Sequence, residues 1–241
     1  MITNDLIDEM ARKCILSDDA FDAAVLDDEP KRIQTVNLHH LALADRSDEF
    51  ARTIRKADFI TADGWPIVSL MRSRGIEPDR VTGSEFVERM LSGRQFHGMR
   101  AAILGADPQV GYDFRGQLHD SGLHVVFREH GSRGDWKPKR LAKKLRKNGV
   151  QLLIVAVTPP HGDIIGEGVR AAGFDGTIVN VGGAVNMATG HVSMAPAWVR
   201  ATKLEWFYRL AHEPKRLFRR YVVECLPVFC KVILPSYWHR V

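Results

Sequence analysis

Sulfur is scarce in this chain, and no apolar run is long. Three cysteines, Cys14, Cys225 and Cys230, are spread through 241 residues. So few, so unevenly placed, exclude a disulfide framework, and Cys225 and Cys230 lack the second ligand pair that a zinc site needs. A reducing cytoplasm is the simplest setting for them. No charge-free apolar stretch of about 20 residues occurs, so no segment reads as membrane-spanning. The first residues carry Asp5, Asp8 and Glu9 in place of a basic-then-apolar leader and do not read as a secretory signal. Also missing are G-x-G-x-x-G and the P-loop, the fingerprints of NAD-type and ATPase sites. There is no Asp-x-Asp, the motif through which many nucleotide-sugar enzymes hold a metal. Internal repeats and low-complexity linkers are absent too.

What is present suits one large α/β domain with a small appendage. Lys and Arg outnumber Asp and Glu by five, with a pI near 9.2, which favours anionic partners: nucleic acid, an acidic membrane face or phosphorylated substrates. Residues 1–30 are acidic and read as a weak helix or an arm. Short apolar runs at Ile33–Leu38, Ala57–Ala62, Arg100–Leu104, Leu123–Phe127, Val150–Val157 and Thr177–Val181 read as strands. Helical patterns lie between them, including Pro66–Arg74, Lys137–Lys147 and Ile164–Ala172. Several strands are apolar throughout, so the expected fold is α/β: a Rossmann-like, mostly parallel sheet with helices on both faces. Ligands of such sheets bind beyond the carboxyl ends of the strands. The ends at Asp63, Gly105, His130, Thr158 and Gly182 therefore share one expected crevice, where Gly105 would let a nucleotide approach the backbone.

Within this frame Ala57–Phe86 is the stretch richest in chemistry. Its strand ends on Asp63-Gly64, and the polar turn Asp79-Arg80-Val81-Thr82-Gly83-Ser84 opens another helix. Asp63 is either a carboxylate offered to a ligand or half of an ordinary Asp-Gly turn. Arg80 is either a pocket cation or a surface charge. Thr35 and Asn37 share one strand face. The adjacent pair His39 and His40 has no third ligand at metal spacing and reads as solvated or hydrogen-bonded. Lys139, Arg140, Lys143, Lys144 and Lys147 make a basic helix that is a solvated face or, in a rival reading, a nucleic-acid-binding one, although no nucleic-acid motif surrounds it.

Beyond Val192 the composition changes. Pro214 starts a helix on which Arg216 and Arg220 share a face with Arg219 beside them. The apolar, aromatic and basic tail that follows fits either a lipid interface or a helix packed on the core. The expected division is a core over 1–195 and a helical, membrane-associating appendage over 196–241.

Thr35-Val36-Asn37, then Ala57-Asp58-Phe59-Ile60-Thr61-Ala62-Asp63-Gly64, then Arg80-Val81-Thr82-Gly83 follow the order T-x-N, A-D-x-x-x-x-D-G, R-V-x-G. In this the chain resembles the WecG/TagA/CpsF glycosyltransferase family, the bacterial N-acetylmannosaminyltransferase group, over residues 30–222. The resemblance implies an inverting, metal-independent hexosyltransferase or N-acetylhexosaminyltransferase without cofactor. It would move a sugar from a UDP-sugar to a polyprenyl-diphosphate-linked sugar acceptor in surface polysaccharide (exopolysaccharide) synthesis, working at the inner face of the cell membrane. Self-association is implied as well. Asp63 matches the general base, and Thr35, Asn37 and Arg80 match pocket residues. Arg209, Arg216 and Arg219 match appendage arginines that contact the diphosphate. Two positions depart from the pattern. Gly162 replaces a glutamine, leaving Asp163 with the acidic character of its motif in the substrate pocket, and Met194 replaces an arginine. These departures put the sugar in question more than the reaction class, and they keep a non-catalytic, UDP-binding member in view.

Overall fold

The computed structural model describes residues 2–131, 136–193, 195, 196, 199, 202 and 205–237, the side chains of Glu205 and Arg216 excepted. Met194 lies outside the described residues. Strands β1 (Cys14–Ile15), β2 (Arg32–Val36), β3 (Phe59–Ala62), β4 (Arg100–Gly105), β5 (His124–Glu129), β6 (Leu152–Ala156) and β7 (Thr177–Asn180) form one sheet in the order β1-β3-β2-β7-β6-β4-β5. Every pairing is parallel, as expected of strands apolar on both sides. The helices are α1 (Asn4–Arg12), α2 (Asp18–Leu26), α3 (Leu38–Arg46), α4 (Asp48–Arg55), α5 (Trp65–Arg72), α6 (Gly83–Ser92), α7 (Pro108–Asp120), α8 (Pro138–Lys147), α9 (His161–Ala171), α10 (Ala184–Ala188), α11 (Glu205–His212) and α12 (Pro214–Phe218). From Arg219 the chain stays helical to Ser236 but winds with wide π turns over Arg219–Cys225 and Phe229–Ile233.

The sheet buries both faces. Ile33, Ile103, Ile154 and Val179 point to one side, against Phe21, Phe86 and Phe114 from α2, α6 and α7. On the other side, Val36, Ile60 and Ala62 meet Leu6, Leu41, Phe50 and Leu70, while Leu153, Val155 and Ile178 meet Leu141, Leu145 and Val169. Burying a side chain such as Phe86 contributes about 1.5–3 kcal/mol relative to leaving it exposed. Helix α8 follows the same logic. Leu141, Ala142 and Leu145 face inward and its lysines stay at the surface, Lys144 on Glu129.

The acidic N-terminus is better ordered than an arm. Thr3 and Ser17 cap α1 and α2 by accepting from the backbone N–H of Leu6 and Ala20. Between the two helices, Cys14 and Ile15 add a strand to the edge of the sheet against Ile60 and Thr61. Two residues are too short for a period, which is why β1 is not legible in the sequence.

The C-terminal segment packs one face and exposes the other. Cys225, Val228 and Ile233 enter the same apolar cluster as Leu6 and Leu41, and Trp65 meets Phe229 edge-on at 5.5 Å. Lys231 pairs with Asp45 at 2.8 Å, and Arg46 donates to the carbonyl of Val223 at 3.2 Å. Phe218, Val223 and Leu226 remain half exposed. Among the described residues no helix is long and apolar enough to cross a membrane.

Candidate active site

A cavity of about 270 Å³ opens beyond the carboxyl ends of β2, β3, β6 and β7. The sheet dictates this place. The connection after β2 leaves toward β3 on one side, whereas β7 is reached from β6 on the other, so the two central strands part at their tips. Its walls are Thr35, Asn37, His40 and Asp63 from the β2 and β3 ends, Gly83 and Ser84 from the start of α6, Val157 to Pro159 and Asp163 after β6, and Asn180 to Ala184 after β7. The appendage closes the remaining side with Arg209, Glu213, Leu217 and Arg220.

Asp63 is fixed by the backbone first. Its N–H donates to the Val36 carbonyl at 3.0 Å, tying the tip of β3 to that of β2. Gly64 follows with φ 102° and caps α5, a conformation open to glycine and strained for other residues. Oδ2 of Asp63 then accepts from Nδ2 of Asn37 at 3.4 Å. Asn37 is itself the N-cap of α3: its Oδ1 accepts from the N–H of His39 at 3.1 Å, and its own N–H donates to Nδ1 of His40 at 3.2 Å. Thr35 is buried and donates from Oγ1 to the Asn180 carbonyl at 2.8 Å, joining β2 to β7. Asp63, Thr35, Asn37, Asp163 and Arg209 thus meet in one cavity although up to 174 residues separate them in sequence (209 − 35).

Three residues, Arg80, Gly105 and Arg219, stand elsewhere. Arg80 lies beside the wall, held on Glu85, whose Oε2 also accepts from Thr82 at the start of α6. Gly105 is not among the lining residues; Ala156 and Val157 cover the position where its side chain would start. Arg219 is 82% exposed and pairs with Glu224 at 3.6 Å. Arg216 belongs to α12, with its side chain outside the described residues.

Others reach the cavity without having been assigned a role from sequence. Arg220 is one residue past Arg219 and lines the cavity three residues after Leu217. Asn180 ends β7, and its Nδ2 donates to the Gly162 carbonyl at 2.8 Å. His40 shares the wall with Asp63. The signal for His40 was its place three residues after an Asn cap, a position that reaches back to the helix start. Among the described residues no three His, Cys, Asp or Glu side chains are grouped as metal ligands.

His39 faces the appendage. Its Nε2 lies 3.0 Å from Glu224, which divides its charge with Arg46 at 3.9 Å and Arg219. Burial first, then the charges of Arg220, His40 and Arg46, push its pKa down to about 3. The ring is therefore neutral at physiological pH, and its N–H donates to a carboxylate already shared by two guanidiniums.

A carboxylate held by a carboxamide, facing arginines from another segment over a polar cavity, matches a site that deprotonates one group while another leaves with negative charge. A family model described as "Glycosyl transferase WecG/TagA/CpsF family" matches residues 12–240. The chain belongs to this family. It is therefore a glycosyltransferase, and a sugar donor and an acceptor are its substrates. A transferase of this kind needs no carboxylic acid to protonate the leaving group, in contrast to a glycoside hydrolase with its two carboxyl groups.

Steric room for a side chain is lacking at Gly162. A Cβ at 162 would sit 2.1 Å from the carbonyl oxygen of Val157, because α9 starts tight against the end of β6. No side chain fits there on this backbone. Asp163, next in the chain, is buried and lines the cavity instead.

Proposed function

We propose that the protein is an inverting, metal-independent glycosyltransferase that moves a sugar from a UDP-sugar to a polyprenyl-diphosphate-linked sugar acceptor during surface polysaccharide synthesis. The observation that supports it is the placement of Asp63 and the two arginines, Arg209 and Arg220, on the walls of one cavity. Asp63 takes the proton of the acceptor hydroxyl as that oxygen forms its bond to the anomeric carbon. The bond from that carbon to the diphosphate breaks, and UDP departs with the electron pair. Asn37 donates to Oδ2 of Asp63 and so fixes the orientation of the carboxylate. Arg209 and Arg220 meet the charge that grows on the diphosphate, the guanidinium fork matching phosphate oxygens. The half-exposed Phe218, Val223 and Leu226 fit a segment resting on the cytoplasmic face of the cell membrane, where the lipid-linked acceptor is found.

Asp63→Asn tests the base. The substitution keeps shape and removes basicity, so UDP release with a lipid-diphosphate-sugar acceptor falls by about 10²–10⁴-fold while the thermal unfolding curve stays in place. Transfer at the original rate would remove Asp63 from this role. A wild-type protein that binds UDP and transfers nothing from any UDP-sugar offered would identify a non-catalytic member instead.

A further inference from the structure

We propose that His40 is a positioning residue of the reaction: seated beside Asp163, it holds Asn37 and through it the carboxylate of Asp63. The proposal rests on the reading of Asp63 as the base.

Position 40 is the third residue of α3, where a capping box ordinarily uses Glu or Gln to reach back to the N-cap N–H. Here an imidazole makes that bond. Nδ1 of His40 accepts from the N–H of Asn37 at 3.2 Å and lies 3.0 Å from Asn37 Oδ1. The ring is 4% exposed and stacks on Phe50 with centroids 6.0 Å apart. The backbone bond requires the ring's proton on Nε2, whereas the contact with Asn37 Oδ1 would require it on Nδ1; the first arrangement, with the proton on Nε2, is the one proposed. That nitrogen faces Oδ1 of Asp163 at 3.6 Å. A glutamine would complete the cap equally well and leave Asp163 without the imidazole, so the ring does more than the helix start requires.

Asp163 itself is 2% exposed, and among the described residues its Oδ2 has no hydrogen-bond partner. A buried carboxylate persists when compensating charge is near. Behind it Arg32, fully buried on β2, donates to Gln34 and to the carbonyl of Thr53. Burial lowers the pKa of Arg32, and Asp163 is the foremost of the carboxylates that hold its charge. Asp163, His40, Asn37 and Asp63 therefore form a file from the interior to the cavity, in which His40 stands between the buried carboxyl group and the cap.

The test compares wild type, His40→Gln and Asp63→Asn, with UDP release measured alongside thermal unfolding. His40→Gln is expected to melt like wild type, keep its donor KM within about twofold and lose at least about tenfold in kcat. If His40→Gln keeps the wild-type kcat while Asp63→Asn is inactive, the proposal fails and the base stands. If Asp63→Asn turns over normally, both fail. Should His40→Gln melt lower, imidazole nitrogen spectra of the wild type decide. A neutral ring protonated at Nε2 is required, and one protonated at Nδ1 overturns the proposal.

Discussion

The side-chain amide of Asn180 donates to the carbonyl of Gly162 at 2.8 Å. This bond ties the tip of β7 to the first turn of α9 and holds that turn against Val157. The close approach of the two backbones leaves no room for a side chain at residue 162.

Restoring the family residue should therefore harm the protein. Gly162→Gln places a Cβ 2.1 Å from the Val157 oxygen, and overpacking of this kind costs about 1–3 kcal/mol. Differential scanning calorimetry should show a lower Tm, with no gain in UDP release. A stable, faster Gly162→Gln enzyme would mean that α9 can move off β6.

The arginines should divide by where they point. Charge-assisted hydrogen bonds contribute about 1.5–3 kcal/mol, so Arg209→Ala or Arg220→Ala should lower kcat/KM by about 10- to 100-fold. Arg219→Ala, on a side chain 82% exposed and paired with Glu224, should cost about twofold or less. EDTA should leave all rates unchanged. A larger loss at Arg219 than at Arg220 would contradict the clamp as drawn here.

His39 sets an acid limit on stability. In the unfolded chain it binds a proton below its ordinary value of 6.5, but in the fold only near pH 3. Between those values the unfolded chain holds more protons, so stability falls as pH falls and returns as pH rises. The slope is at most about 1.4 kcal/mol per pH unit. Denaturant titrations between pH 7 and pH 5 should show this decline in wild type. In His39→Gln, which keeps a neutral donor for Glu224, the decline should be shallower. Equal slopes would show that His39 does not titrate between the two states.

The exposed face of the appendage gives a fourth test. Phe218, Val223 and Leu226 are 50–56% exposed, so replacing all three by Ser should leave the unfolding temperature unchanged. Burial of even part of each in lipid contributes about 1 kcal/mol or more. Co-sedimentation with anionic liposomes should accordingly drop by at least about tenfold. Unaltered partitioning would assign membrane contact, if any, to another surface.

Much of this molecule can be read without coordinates. Val150–Val157 and Thr177–Val181 are apolar on both sides and short, which dictates buried parallel strands. Asp63-Gly64 at a strand end is a local pattern, and it lies where such patterns place ligands. Thr35 and Asn37 follow from strand alternation and reach the same cavity. The N-terminal edge strand was not legible, because two residues carry no periodicity.

What the linear order determined is the alternation of strand and helix, since each depends on side chains a few residues apart. Tertiary structure alone decided which arginines face the cavity. Arg220 lines the cavity in step with Leu217 three residues before it, and Arg219 is left in solvent. It also decided that Gly162 has no room for a side chain and that His40 meets Asp163, 123 residues further on (163 − 40). Those outcomes depend on packing between segments distant in the chain, where a shift of an ångström changes which group touches which.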